Sequence, residues 1–410
     1  MSNHLGFITV AASNTHASMK SEADLICTGE HDELTIQKAI DICIEEDKNV
    51  YLYNGKYNLD GFYDFGDGGN KTAIRFTSNH RDIIFKGQNL EYGFQRRYDN
   101  GVVLYVTKEA LDTVTGPSDV MRSSWTKEGI QNGSGLFLEN FTVILDDNQH
   151  PVRCIDLRRT DRADVKNVSL YSYGALIRPD SAVGLVETPP VPANGCIGLT
   201  MTDGSNYLFS NYTNVQILGF DEGFQAGGEH VICYNCGAAI GNYGWTFGNY
   251  EYNCGANHPI VLINCMDERN INLPLFNRCG DKGGQVHGNQ EVTMIGFNME
   301  HIKGRAPGGI DGDLMREVKP GTWRGTITFS SQPGWGQHNT VDAPLWENDG
   351  SGRGFVTRNA SHKTVCSTEE RLSYAPFIGQ QVFDTDLGKM LVCTDPENKL
   401  WVDFNGNQAD

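Results

Sequence analysis

The stretch "SGLFLENFTVIL" (134–145) is two short apolar runs joined at one asparagine, Asn140. The same shape returns further on. "ADVKNVSLYS" (163–172) has Asn167 at the joint, "YLFSNYTNVQIL" (207–218) Asn211, "HVICYNCG" (230–237) Asn235 and "PIVLINCMDE" (259–268) Asn264. In "EVTMIGFNME" (291–300) Gly296 takes that place. The steps are 27, 44, 24, 29 and 32 residues, and two of the longer ones hold insertions, 177–195 and the Gly-rich 279–290. Asparagine often does no more than mark a turn, but here apolar strand residues precede each one. A self-similar period of roughly 20–50 residues is the signature of a solenoid, whose stacked units share one core. The expected fold is an all-β solenoid of parallel strands, with the asparagines stacked from coil to coil.

Composition agrees. Of 410 residues 47 are Gly, so tight turns are frequent and strands short. Hydrophobic residues at 39% and charged residues at 20% describe a packed chain, not a disordered one. A formal charge of −18 argues against nucleic acid and anionic membrane surfaces, and leaves a neutral or weakly charged ligand such as a sugar chain. No apolar run reaches the roughly 20 residues that cross a bilayer. The opening "MSNHLGFITVAASNTHASMK" lacks the basic start and continuous apolar run of a signal peptide, so cytoplasmic synthesis without a leader is expected. The 11 cysteines are scattered; Cys233 and Cys236 are the closest pair, and no second pair stands at zinc-finger distance. They read as reduced, mostly core thiols. No cofactor is expected.

"HDELTIQKAIDICIEEDKN" (31–49) is the one strong helix signal, expected over 31–47. Ile36, Ile40, Cys43 and Ile44 fall on one face, and Asp32 is placed as N-cap. Two strand-like runs follow, "VYLYNGKYNL" (50–59) and "DIIFKGQN" (82–89). With its flanks, this helix resembles the opening of right-handed parallel β-helix proteins of the pectin-lyase-like superfamily. The resemblance rests on Ala23-Asp24, Cys27, Gly29, Asp32, Ile36-Gln37 and Ala39-Ile40, with a first strand ending in Gly-Lys-Tyr. It covers 21–59 closely and the rest only as a repeat. It implies that the helix caps the N-terminal end of a right-handed parallel β-helix, where open strand edges would invite aggregation. It also implies a carbohydrate substrate.

"PFIGQQVFDTDLGKMLVCTDPENKLWVDFNGN" (376–407) is similar to the C-terminal hairpin of phage and prophage tail-spike and tail-fibre proteins. Phe383-Asp384-Thr385, Leu387, Lys389 and Trp401-Val402-Asp403 match, while Met390 and Leu391-Val392 depart from the usual residues. The stretch reads as two alternating strands with a turn at Asp395-Pro396-Glu397-Asn398. This resemblance implies a homotrimer on a virion. The chain thus divides into a cap at 1–50, parallel coils with inserted loops at 51–365 and a C-terminal hairpin segment at 366–410.

Residues at equal offset from the repeated asparagine stack about 4.8 Å apart. Four residues after it the column reads Ile144, Tyr171, Val215, Ala239, Glu268, Glu300; six before it, Asp161, Ser205, Glu229, His258, Gln290. Both turn polar in the later coils. Glu268 and Glu300 would stand roughly 5 Å apart, the spacing of a retaining glycosidase pair. Like charges that close raise one pKa, leaving one acid and one anion. Glu229 and His258 would form a second acid–base pair, or simply a hydrogen-bonded corner. In "CMDERN" (265–270), Asp267, Glu268 and Arg269 cannot all face inward, because neighbours alternate. The expected acid, base or nucleophile therefore comes from Glu229, Asp267, Glu268 and Glu300. Glu222, His230, His258 and Arg269 would bind and orient substrate, while Asp221 reads as a solvated turn; for Glu222 an exposed charged turn stays open.

No metal site is expected: "GGIDGDL" (308–314) lacks the spacing and terminal Glu of a calcium loop. The catalytic sets of pectate lyases and polygalacturonases are missing, and "NTVD" (339–342) stands without partners. The expected function is cleavage of glycosidic bonds in a polysaccharide or oligosaccharide, by carboxylate hydrolysis rather than β-elimination. The alternative is a phage or prophage appendage that binds surface glycans, with or without cutting them.

Overall fold

Strands rich in β-branched and aromatic residues, several closed by Gly, Asn or Asp, pair here with the strand one pass earlier. The computed structural model describes residues 6–77, 82–90, 100–123, 135–160, 162–172, 191–201, 209–227, 230–247, 259–268, 270, 290–300, 323–329, 353–358, 365–373 and 379–409. Within 290–300 the described side chains are those of Met294, Ile295 and Phe297; over 323–329 and 353–358 only the backbone is followed.

The chain is predominantly β, and nearly all of its pairing before residue 365 is parallel. In a 16-stranded sheet, Gly135–Leu145 pairs with Arg162–Ser172, and that strand with Ser210–Leu218. Val231–Tyr234 and Gly237–Ala239 continue it, then Pro259–Ile263 and Met266–Glu268, and Gln290–Glu300 runs along both. A 6-stranded sheet holds Lys71–Phe76, Ser118–Ser123, Val152–Asp156, Ile197–Thr200, Glu222–Ala226 and Tyr243–Phe247, parallel and in chain order. Its inward column runs Ile74, Met121, Ile155, Leu199, Phe224, Trp245, all in one core. The Phe224 and Trp245 rings stack 4.0 Å apart. Each such side chain contributes about 1.5–3 kcal/mol by leaving water.

The asparagine joint is a left-handed corner. Asn140, Asn167, Asn214, Asn235 and Asn264 all have φ between 52° and 60°. That region disfavours most L-residues and suits Asn, whose short amide bonds locally. Each amide donates Nδ2–H to Oδ1 of the one before: Asn167 to Asn140 at 3.0 Å, Asn214 to Asn167 at 2.9 Å, Asn235 to Asn214 at 3.2 Å, Asn264 to Asn235 at 2.6 Å. The sequence alignment on Asn211 was therefore three residues early. Asn211 lies within a strand, paired with Asp164 and Ile232, and Asn214 holds the corner. Gly296 falls in the predicted register, between the pairs Ile263–Ile295 and Met266–Asn298.

The predicted helix forms over Asp32–Glu45 and buries Ile36, Ala39, Ile40 and Cys43 against the strands that begin both sheets. Asp32 is not its N-cap. His31 holds that position at φ 49° without a side-chain capping bond, its ring Nδ1 lying 3.1 Å from Glu33 Oε1 instead. The Asp32 carboxylate instead accepts from the Gly29 and Asn58 amides at 2.9 and 3.0 Å, joining the helix start to the strand Gly55–Leu59. Short helices at Ala17–Lys20, Lys108–Asp112 and Thr368–Ser373 carry no comparable periodicity.

The C-terminal segment is larger than the expected hairpin. Lys389–Asp395 and Leu400–Asp403 do pair antiparallel, and Asp395 Oδ1 accepts from the Glu397 and Asn398 amides in the turn. Val365–Cys366, Gln381–Asp384 and Gln408–Ala409 complete a 5-stranded sheet. Cys366, Val382, Leu391, Cys393 and Trp401 make a core of its own.

Candidate functional site

The corrected corner also corrects the column four residues beyond it. Tyr171 stands in register with Leu218, not Val215, and the row reads Ile144, Tyr171, Leu218, Ala239, Glu268, Glu300. Its apolar members pack together as a small second cluster with Val103 and Ile240. At the last two strands the row turns acidic. Glu268 and Glu300 are direct Cα partners on parallel neighbours, so their backbones stand about 4.8 Å apart. Glu268 is half-buried; the Glu300 side chain lies outside the described residues.

Asp267 faces the other way, into the core, as alternation requires. It is fully buried, its Oδ1 accepts from Asn270 Nδ2 at 2.8 Å, and burial pushes its carboxyl up to about 7. Asn270 in turn accepts from the Gly241 amide and donates to the Ala238 carbonyl, so the pair braces the exit of one pass against the last. A Cβ on Gly244 would stand 2.4 Å from Asp267 Oδ2, so only glycine admits the carboxylate there. Glu229, His258 and Arg269 lie outside the described residues. His230 has φ 54° and lays its ring 5.1 Å from that of Phe209.

Asp221 and Glu222 are not a solvated turn. Asp221 is 7% exposed and accepts from the Gly195 amide and Asn242 Nδ2. Glu222 is buried in the first position of a strand, where Oε2 accepts from Thr246 Oγ1 at 2.7 Å and Gln225 Nε2 at 3.1 Å. Gln225 accepts from Thr200 Oγ1 in turn.

Thr200, Gln225 and Thr246 belong to a polar row that the repeat did not reveal. Across the 6-stranded sheet Arg75, Arg122, Asp156, Thr200, Gln225 and Thr246 stand in register. Asp156 takes Arg153 at 2.8 Å and Arg158 at 2.7 Å; Arg122 grips Asp67 through both oxygens at 2.9 and 3.0 Å. Burial, then the nearby negative Asp156, pushes Asp119 up to about 7. Burial would raise Asp156 too, but Arg153 and Arg158 hold it well below the usual carboxylate range. An acid beside an anion has the form of a catalytic pair. Its members are 0% and 1% exposed, however, so a polymer cannot reach them, and the network binds strands together instead. The sequence carried one signal for it: partners three residues apart, Asp119/Arg122, Arg153/Asp156 and Glu222/Gln225.

Compared with known proteins, the chain matches no family model, no curated protein and no solved structure.

Among the described residues two groups have metal-ligand residue types, His31/Glu33/Asp60 and Asp112/Asp147/His150. In the first, Glu33 already accepts from the Tyr63 hydroxyl and the Asp60 amide. In the second, Lys108 Nζ sits 2.6 Å from Asp112 and 3.5 Å from Asp147, where a cation would go. Nine described cysteines are buried, and burial raises thiols such as Cys154 and Cys233, which suits core packing rather than reaction. Among the described residues no helix is long and apolar enough to cross a membrane.

Proposed function

We propose that the chain is a right-handed parallel β-helix that cleaves glycosidic bonds in a polysaccharide or oligosaccharide, with Glu268 and Glu300 as the reacting carboxylates. The observation that carries the reading is their register on neighbouring parallel strands, at the end of an otherwise apolar row. Two carboxyls one strand spacing apart fall near the roughly 5 Å of retaining enzymes. The protonated one gives its proton to the leaving glycosidic oxygen. The ionised one attacks the anomeric carbon, and water then releases the sugar as the first carboxylate takes back a proton. Placement on strands, not loops, favours the precision this needs.

The resemblance of 376–407 to tail-spike hairpins favours a second reading, a virion-associated homotrimer that holds surface glycans. The test is to incubate the purified protein with a glycan panel and assay new reducing ends. Glu268→Gln and Glu300→Gln keep shape and remove charge, so each should lower the rate about 10²–10⁴-fold with folding intact. Parent-like rates in both variants would remove the pair. Binding without any cleavage by the parent would favour the second reading.

A further inference from the structure

The outer face of the 16-stranded sheet changes character half-way along. One column reads Lys86, Glu139, Lys166, Thr213, Tyr234, Ile263, Ile295, each in register with the next. Its neighbour reads Ile84, Phe137, Asp164, Asn211, Ile232, Val261, Thr293. The early half is charged, with Lys86 paired to Glu139 at 2.9 Å. From Asn211 and Thr213 onward no Lys, Arg, Asp or Glu occurs in either column, on a chain of formal charge −18. This half is also exposed and apolar: Ile232 39%, Tyr234 47%, Ile295 50%, with Phe209 at 61% beside it.

The shape of the strip selects its occupant. Thr213 to Ile295 spans three strand spacings, roughly 14 Å, and the two columns are about 7 Å apart. That footprint of about 100 Å² falls far below the roughly 800 Å² per partner of a stable protein interface. It is long and narrow, as a linear chain is. With no Lys or Arg inside it, a uronate or phosphate would have no counter-charge. The exposed corner amides of Asn214 and Asn264 border the strip, each giving one N–H along the ladder and keeping a second for a hydroxyl. Past that corner lie Glu268, on the next strand Met266–Glu268, and Glu300, at the end of Gln290–Glu300.

We propose that this strip is a binding subsite for a neutral glycan chain, with the Tyr234 ring as its stacking platform and the Glu268–Glu300 corner at its end. The proposal rests on the glycan-cleaving reading and names its substrate class. The probe is native electrophoresis through gels containing neutral polysaccharides (a β-glucan, a galactomannan, dextran) or acidic alginate. At least one neutral polymer should retard the parent and the Glu268→Gln variant alike. Tyr234→Ala should weaken that retardation about fivefold, the worth of one aromatic contact, with an unchanged melting temperature. Lys166→Ala, in the charged half, should behave as the parent. Retardation by alginate alone, by no polymer, or equally in Tyr234→Ala and the parent overturns the subsite. Because retardation is read without turnover, a protein that is retarded yet releases no reducing ends overturns the cleavage reading and leaves the subsite standing.

Discussion

Replacing Asn214 by Ala tests the corner that the sequence alignment misplaced. The change removes two amide bonds, one donated to Asn167 at 2.9 Å and one accepted from Asn235 at 3.2 Å. Hydrogen bonds contribute about 0.5–1.5 kcal/mol each, and these are solvent-exposed, so together they are worth about 1–1.5 kcal/mol. Alanine must also hold φ 53°, which costs about 1–2 kcal/mol for a residue with a Cβ and no local bond. The expected loss is therefore about 2–3.5 kcal/mol. Asn214→Gly escapes the backbone cost and should lose only the first part, about 1–1.5 kcal/mol. Asn211→Ala, three residues away in extended backbone, should stay within about 0.5 kcal/mol. Guanidinium denaturation followed by circular dichroism, with a common slope for the set, reads all three. If Asn211→Ala costs as much as Asn214→Ala, the ladder is not what fixes the corner. If the Gly and Ala variants at 214 are equal, the left-handed backbone carries no cost and that part of the sum is wrong.

Asp267 gives a pH signature. Its carboxyl is raised to about 7, so the native chain keeps a proton that the unfolded chain releases above about pH 4. Its contribution is present in full at low pH and is lost as pH rises through about 7. Asp267→Asn cannot titrate, so its melting temperature should fall less than the parent's between about pH 5 and about pH 8; parallel curves would reject the assignment. For assembly, the tail-spike reading expects a homotrimer, and light scattering at micromolar concentration should give three times the chain mass; a monomer mass discards it.

Much of the fold was legible because its physics is local and repeated. The corner needs a residue that tolerates positive φ and bonds along the stack, and Asn does both, so the repeat announced itself. The same logic explains the error at 207–218, where two asparagines stand three apart and only backbone conformation separates them. The polar row was hidden because its strands carry no corner residue to align on. Arg122, Asp156, Thr200 and Gln225 are related across the sheet by register alone. Exposure was hardest to read: Asp221 and Glu222 have the composition of a surface turn, yet long-range partners from Gly195 and Thr246 bury them. The register of Glu268 with Glu300 was readable because it needed only one correct anchor, Asn264, and one correct step to Gly296.

The rungs of the asparagine ladder are separated by 27, 47, 21 and 29 residues, yet the four bonds between them are alike. Contour length between rungs is thus free, while the spatial step is fixed. A frame of this kind holds the same corner bond over intervals of 21 to 47 residues, so loops between corners differ in length while the ladder continues. Surface chemistry on such a chain can diversify by insertion, at positions away from the corner, while the scaffold stays constant. The same freedom makes the intervals between rungs natural places to graft a foreign loop or an affinity tag.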